Sequence, residues 1–296
     1  MHKILVSGLI NIEVTLQVEG FPIEYSPVRY PFFGINSMAA GVGYNITKAL
    51  TTLGSQVNLL SLIGADFNGD LVKTALARDG LSQDYVLQQI PQTATAVILY
   101  DKQGKRQINT DLKDIQERTY PQDVFAQALA ECALAVLCNI NFSRPFLRLA
   151  KQAGKPVATD VHTIADLDDE YNRDFMASAD ILFISDEKLP CSPEEWAERV
   201  MAKYGPEIVV IGLGEKGALL AVRSANFMER FPAVYTRPVI NTIGAGDALF
   251  SAFNYFYQKD HNPYEAIKKA IVFASYKIGE RGAAEGFLTE TQLNQL

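Results

Sequence analysis

Short apolar runs recur along this chain, separated by stretches in which apolar residues return every three or four positions. The runs predict strands at Lys3–Ser7, Val57–Ile63, Ala94–Tyr100, Leu134–Cys138, Pro156–Asp160, Ile181–Ile184 and Ile208–Ile211, with Ala218–Val222 as one more. The periodic stretches predict helices at Tyr44–Leu53, Asp70–Ala77, Asp123–Cys132, Pro145–Gln152 and Pro193–Tyr204, and two further helices, Asp247–Tyr257 and Pro263–Ile278, close the chain. Strand and helix alternate from about Val57 to Ile211, which implies a mostly parallel sheet covered on both faces. In such sheets ligands bind beyond the carboxyl ends of the strands.

The segment Val14–Phe33 breaks this rhythm. It alternates over short stretches, holds Pro22, Pro27 and Pro31, and carries Phe21, Tyr25, Tyr30, Phe32 and Phe33. It reads as a small antiparallel excursion, either a hairpin packed on its own domain or a lid over a substrate. Ala94–Asn109 has similar character, with Gln103-Gly104 as a turn signal, and is able to pair with it. No repeat, low-complexity tract or interdomain linker interrupts the 296 residues, so the chain is one domain over 1–296, with this excursion at about 13–36 and 94–110.

Composition narrows the function. A hydrophobic content of 48% is ample for a large core. A net charge of −7 argues against nucleic acid as a main partner, and Lys102, Lys105 and Arg106 form only a short basic group. Cys132, Cys138 and Cys191 lack metal-ligand spacing and read as reduced, buried thiols of a cytoplasmic protein. The chain starts almost directly on a strand, unlike a signal peptide, and no apolar run approaches the roughly 20 residues that span a bilayer. His2, His162 and His261 are scattered and do not suggest a metal cluster.

The chemistry concentrates near the C-terminus, at Asn241-Thr242-Ile243-Gly244-Ala245-Gly246-Asp247. Apolar Pro238-Val239-Ile240 suits a strand end, and Ala248–Phe253 suits a helix start. The glycines then lie in a tight turn at a helix N-terminus, where unpaired amides and the helix dipole favour an anion. Asp247 is placed to meet a hydroxyl proton beside that anion, the equipment of phosphoryl transfer to an alcohol. The same residues also suit an ordinary turn with aspartate as helix cap.

Other motifs are weaker alone. Asn11 and Glu13 follow the first strand, share a face if it continues, and suit hydroxyl recognition on a polyol. Ala40-Gly41-Val42-Gly43-Tyr44-Asn45 opens a helix, with Asn45 projecting from its first turn. Gly212-Leu213-Gly214-Glu215-Lys216-Gly217 has the dinucleotide-binding glycine spacing, yet a strand follows and Phe231–Ile240 holds no acidic residue, so a glycine-rich turn bordering a nucleotide fits better.

Taken in order, these motifs resemble the ribokinase-like (PfkB) family of carbohydrate and nucleoside kinases over nearly the whole chain. Gly8–Glu13 is similar to that family's first-strand substrate motif, and Ala40-Gly41 through Asn45 to its N-terminal glycine-rich signature. Gly64-Ala65-Asp66-Phe67-Asn68-Gly69 resembles its internal G-x-D-x-x-G segment, and Asn241–Asp247 its C-terminal signature. The resemblance implies a doubly wound α/β fold with a small β lid that often mediates dimers, and ATP with Mg²⁺ as phosphoryl donor. It implies Asp247 as catalytic base, Gly244, Ala245 and Gly246 as the anion hole, and Asn11, Glu13, Gly41 and Asn45 as substrate contacts. Thr242, Gly212, Gly214 and Gly217 would border the nucleotide. The acceptor would be a hydroxymethyl group of a sugar or sugar-like molecule. A nucleoside acceptor stacked on lid aromatics, or a catalytically weakened sensor, are the alternatives.

The departures from the family pattern are specific. Glu13 stands for an aspartate, and Val42 and Tyr44 make the wall around Gly43 bulkier. Asn241 stands for an acidic residue, which removes a charge and argues against potassium activation. The Asn-x-x-Glu motif that organises the metal's waters falls at Ser185-Asp186-Glu187-Lys188, leaving either Asp186 or Glu187 as indirect metal contacts through water or Lys188 to neutralise phosphate charge itself.

Overall fold

The computed structural model describes residues 3–296; His2 lies outside them. In chain order the strands are β1 (Lys3–Ser7), β2 (Asn11–Gln17), β3 (Ile35–Ala40), β4 (Gln56–Gly64), β5 (Val86–Ile90), β6 (Thr95–Tyr100), β7 (Arg106–Asp111), β8 (Cys132–Leu137), β9 (Val157–Thr163), β10 (Ile181–Ser185), β11 (Ile208–Gly212), β12 (Ala218–Val222) and β13 (Phe227–Phe231). The helices are α1 (Val42–Leu53), α2 (Phe67–Arg78), α3 (Gln122–Leu129), α4 (Arg144–Gln152), α5 (Arg173–Ser178), α6 (Pro193–Tyr204), α7 (Ala245–Asp260), α8 (Pro263–Lys277) and α9 (Glu290–Leu293).

Nine strands form one sheet in the order β13-β12-β11-β10-β9-β8-β1-β4-β5, parallel except at the β11–β12–β13 edge. The strand period assigns alternate residues to two cores. Ile4 and Val6 of β1, with Ile208 and Val210 of β11, pack with α1, α2, α7 and α8. Leu5, Val209 and Ile211 pack with α3, α4, α5 and α6 on the opposite face. The fold is therefore an α/β sheet wound on both faces, as the alternation predicts.

Helix ends follow the sequence punctuation. In α6, the Ser192 hydroxyl caps the Glu195 amide, Pro193 occupies the first turn and left-handed Gly205 ends the helix. In α2, Asp66 accepts from the Gly69 amide at 2.9 Å and from the Thr93 hydroxyl at 2.7 Å. The Gly64–Gly69 motif is thus a helix cap that also pins the loop before β6.

A separate four-stranded sheet has the order β3-β2-β6-β7, with β2 antiparallel to β3 and parallel to β6. This is where the excursion was expected, but the sheet is mixed and not antiparallel throughout, because β2 and β6 run the same way, and its strands are shorter than the proline-rich segment suggested. Between β2 and β3 the chain is irregular, and Tyr25, Phe32 and Phe33 are exposed. Cross-strand register puts Glu13 and Thr15 on one face of this sheet. Val14, Leu16, Ile35, Val97 and Leu99 lie on the other face, where none is fully buried.

Three expectations change. Pro238–Ile240 is not a strand; Val239 and Ile240 are each 48% exposed, and the Ile240 amide bonds the Ile278 carbonyl. Cys132 opens β8 where the sequence put the end of a helix. Asn11 and Glu13 belong not to an extended β1 but to β2, because the chain leaves the large sheet after Ser7. Cys132 and Cys138 are buried, as expected, and Cys191 is half-buried. No helix among the described residues is long and apolar enough to cross a membrane.

Candidate active site

The signature turn starts α7. Gly244 is its N-cap, left-handed at φ 74°, with no side-chain cap. A Cβ there would lie 2.5 Å from the Ala283 carbonyl oxygen, so close packing and backbone conformation both demand glycine. The Ala245 amide is engaged by the Thr242 carbonyl at 3.2 Å. Among the described residues, the Gly246 and Asp247 amides are left without a protein acceptor in this first turn. A Cβ on Gly246 would meet nothing within 4 Å, so open space lies beside those amides. Free amides, open space and a helix N-terminus together make a seat for an anion.

Asp247 lies beside that seat and is 9% exposed. Asn45, in the first turn of α1, donates Nδ2 to its Oδ2 at 2.7 Å, leaving Oδ1 for another partner. Burial pushes the Asp247 carboxyl above its ordinary value; the Asn45 bond and the charges of His162 and Lys277 oppose this, while Asp160 adds to it. His162 and Asp160 come from the carboxyl end of β9, their side chains 3.8 Å apart.

The place of α1 is set by β1. A Cβ on Gly43 would stand 2.6 Å from the Gly8 carbonyl carbon, and one on Gly8 would stand 2.8 Å from the Gly43 Cα. The two backbones touch, and Asn45 follows two residues later. Gly41 caps α1 without a side chain. Tyr44 does not add the bulk to that wall that the sequence suggested; it is 1% exposed and gives its hydroxyl to Asp79 at 2.6 Å.

Glu13 comes from the small sheet and is 5% exposed. Burial pushes its carboxyl up to about 7, with Asp247 adding to the rise and Lys277 opposing it. Three acceptor oxygens, Asn11 Oδ1, Glu13 Oε1 and Asn45 Oδ1, are buried without a hydrogen-bond partner. A buried unpaired polar group costs about 1–3 kcal/mol. Asn45 bonds Asp247 and Glu13 feels its charge, so these unpaired oxygens are a cost beside that carboxylate that a ligand rich in hydroxyl donors relieves.

The glycine-rich turn joins β11 to β12 as a hairpin. Gly212 ends one strand, Gly214 opens a single 3₁₀ turn and Gly217 precedes the next strand. No helix starts there, in keeping with the rejected dinucleotide site. Thr242 accepts from the Arg106 guanidinium, which also stands 3.6 Å from Glu187. Arg106 begins β7, so the small sheet is tied both to the signature turn and to the Ser185–Lys188 segment. The Ser185 hydroxyl accepts from the Glu187 amide at 3.4 Å, taking a local cap role.

Sequence reading took Arg106 only as part of a short basic group and gave no site role to Asp160 or Lys277. The last is 0% exposed, ends α8, and donates Nζ to the Ile243 carbonyl. Only their charge and their neighbours in the fold single them out.

A family model described as pfkB family carbohydrate kinase matches residues 1–290. The chain is 25% identical over 289 residues to an ATP-dependent ribose-1-phosphate kinase of Halopiger xanaduensis, covering 96% of this chain and 94% of that protein. The microbiome-derived acarbose kinase Mak1 superposes with a TM-score of 0.89 at 23% identity, covering 100% of this chain and 98% of that one. Arabidopsis thaliana ribokinase complexed with ribose and ATP gives a TM-score of 0.81 at 20% identity, covering 99% and 98%.

Proposed function

The chain belongs to the pfkB family of carbohydrate kinases, and we propose that it transfers the γ-phosphoryl group of ATP to a primary hydroxyl of a sugar or sugar-like molecule, with Asp247 as general base. The observation that carries this reading is the pair of unpartnered buried acceptors on Glu13 and Asn45 beside a carboxylate that adjoins two free helix amides, with a third on Asn11 of the same strand as Glu13.

In this reading the acceptor's hydroxyls donate to Asn11, Glu13 and Asn45. Its reactive hydroxyl donates to Asp247 Oδ1 and passes its proton there as the new O–P bond forms. The amides of Gly246 and Asp247 stabilise charge on the transferring group, with Gly244 and Ala245 shaping the turn. Thr242 and the Gly212, Gly214 and Gly217 turn border the nucleotide.

Among the described residues no three His, Cys, Asp or Glu side chains group to hold a metal. The donor set fits a Mg²⁺ that is carried by nucleotide phosphates and keeps several waters. Glu187 and Asp186 would hold it through water, Glu187 exchanging its Arg106 contact to do so. Bound there, Mg²⁺ would neutralise phosphate charge.

The test is ATP consumption with Mg²⁺ against pentoses, hexoses, sugar phosphates, sugar acids and nucleosides. An acceptor-dependent signal supports the reading and names the acceptor class. Silence across the panel with detectable ligand binding would replace it by a sensor.

Glu13 gives a pH prediction. As the ionised acceptor of a hydroxyl, it should impose an acid limb on kcat/KM with a midpoint near its raised value of about 7. Glu13→Gln should remove that limb and raise the acceptor KM by about 10- to 100-fold, the worth of a hydrogen bond to a charged group. Stability carries the opposite sign. Between the ordinary 4.5 and about 7 the folded state holds a proton that the unfolded state has lost. Glu13 therefore withdraws stability as pH rises through that window. Relative to wild type, the variant should gain stability at pH 8 but not at pH 4.5, read from thermal melts; an unchanged pH profile would exclude Glu13 from acceptor binding.

The outer face of the small sheet supports a homodimer in this reading. Leu16 pairs across to Ile35 and Leu99, and Val14 to Val97, which leaves an apolar face turned from the site. Sedimentation should give a dimer, and Val97→Glu a monomer; a monomeric wild type would remove this interface.

A further inference from the structure

Lys277 is fully buried, yet nothing in the proposed reaction uses it. A buried ammonium costs several kcal/mol unless it is paired and hydrogen-bonded. Here it donates to one carbonyl, that of Ile243, the residue that precedes Gly244. The charges acting on it come from three directions: Glu13 of β2, Asp247 of α7, and Glu280 and Glu285 of the segment after α8.

The surrounding contacts tie that segment to the signature turn. Asn241 Nδ2 donates to the Arg281 carbonyl at 2.6 Å, while its Oδ1 accepts from the Ile243 amide at 3.0 Å. Glu285 accepts from the Gly282 amide at 3.0 Å, and the Gly244 Cα packs on Ala283. The turn is held from beneath at Asn241, Ile243 and Gly244, and Lys277 is the buried cation of that grip. Burial lowers its pKa to about 8, but the surrounding carboxylates keep the charged form in place at neutral pH.

We propose that Lys277 is a positioning residue: a built-in cation that fixes the Ile243 carbonyl, and through it the Gly244–Gly246 turn, in the shape that receives the transferring phosphoryl group. A carbonyl oxygen among carboxylates is also what a free monovalent cation would seek. Lys277 fills that place covalently, so turnover does not depend on K⁺. The inference rests on the kinase reading above.

The test compares wild type, Lys277→Met, Lys277→Ala and Lys277→Arg in two measurements. In the first, calorimetry reads binding of ADP alone and of ADP with aluminium fluoride, a mimic of the transferring group that needs no acceptor. Lys277→Met should keep ADP affinity but lose about tenfold or more for the fluoride complex, the scale of one misplaced electrostatic donor. In the second, kcat is read with and without K⁺. Wild type should be unchanged; Lys277→Ala should fall in kcat more than in KM and recover partly with NH₄⁺ or methylamine.

Equal fluoride-complex affinity in wild type and Lys277→Met overturns the proposal. So does wild type activated severalfold by K⁺, which settles the matter even where the Met and Ala variants fail to fold. Wild type that binds no ADP would instead overturn the kinase reading and this proposal with it. Lys277→Arg, which keeps the charge, should stay nearer wild type than Lys277→Met.

Discussion

Asp247→Asn is expected to lower kcat by about three orders of magnitude, within the 10²–10⁴ range of a lost general base, while acceptor and nucleotide affinities change little. The amide keeps the size of the carboxylate and an oxygen to accept from Asn45, so the arrangement around α1 survives. What it loses is the capacity to take a proton. Burial has already raised the carboxyl's pKa, which strengthens it as a base where the acceptor is held dry. Steady-state kinetics with calorimetric acceptor binding separate the two effects. Near-wild-type kcat would take Asp247 out of the chemistry.

Gly244→Ala should cost about a hundredfold or more in kcat, the scale of losing a preorganised anion donor. It should also cost about 1–3 kcal/mol of stability for a side chain forced into the left-handed region. The new methyl would lie 2.5 Å from the Ala283 carbonyl oxygen, and backbone cannot swing aside as a side chain does. Gly246→Ala is the control. Its methyl enters open space, so the melting temperature should hold while nucleotide-dependent turnover suffers from the narrowed seat. Equal melting temperatures for Gly244→Ala and wild type would mean that the turn relaxes and that the clash argument fails.

The sheet, most helices and the signature turn were legible because each rests on local chemistry. Periodicity marks α1, α6 and α8, and glycine next to an apolar helix start marks α7. Glu13 and Asn11 share a strand as the spacing suggested, although that strand is a new one. What was not legible depends on distance. Arg106 meets Thr242 across 136 residues, and the β-like pattern around it gave no sign of that partner. Lys277 reads as the polar end of an amphipathic helix; only packing α8 against the 241–244 turn buries it. Pro238–Ile240 failed in the opposite sense. Its apolar, β-branched residues suit a strand, but among the described residues no strand pairs with them, and the Ile278 carbonyl takes the Ile240 amide instead.

The contact between Gly8 and Gly43 has a consequence for how this sequence can drift. Most buried contacts are between side chains, and a change on one side can be offset by a complementary change on the other. Here each glycine faces the other's main chain, at 2.8 Å and 2.6 Å from where a methyl would sit. No exchange elsewhere makes room, because main chain has nothing to shorten. The remaining route is to part β1 from α1, which would carry Asn45 away from Asp247. These two positions should therefore stay invariant for as long as that carboxylate is needed. A descendant that acquires a side chain at either one should be sought among those that have given up catalysis.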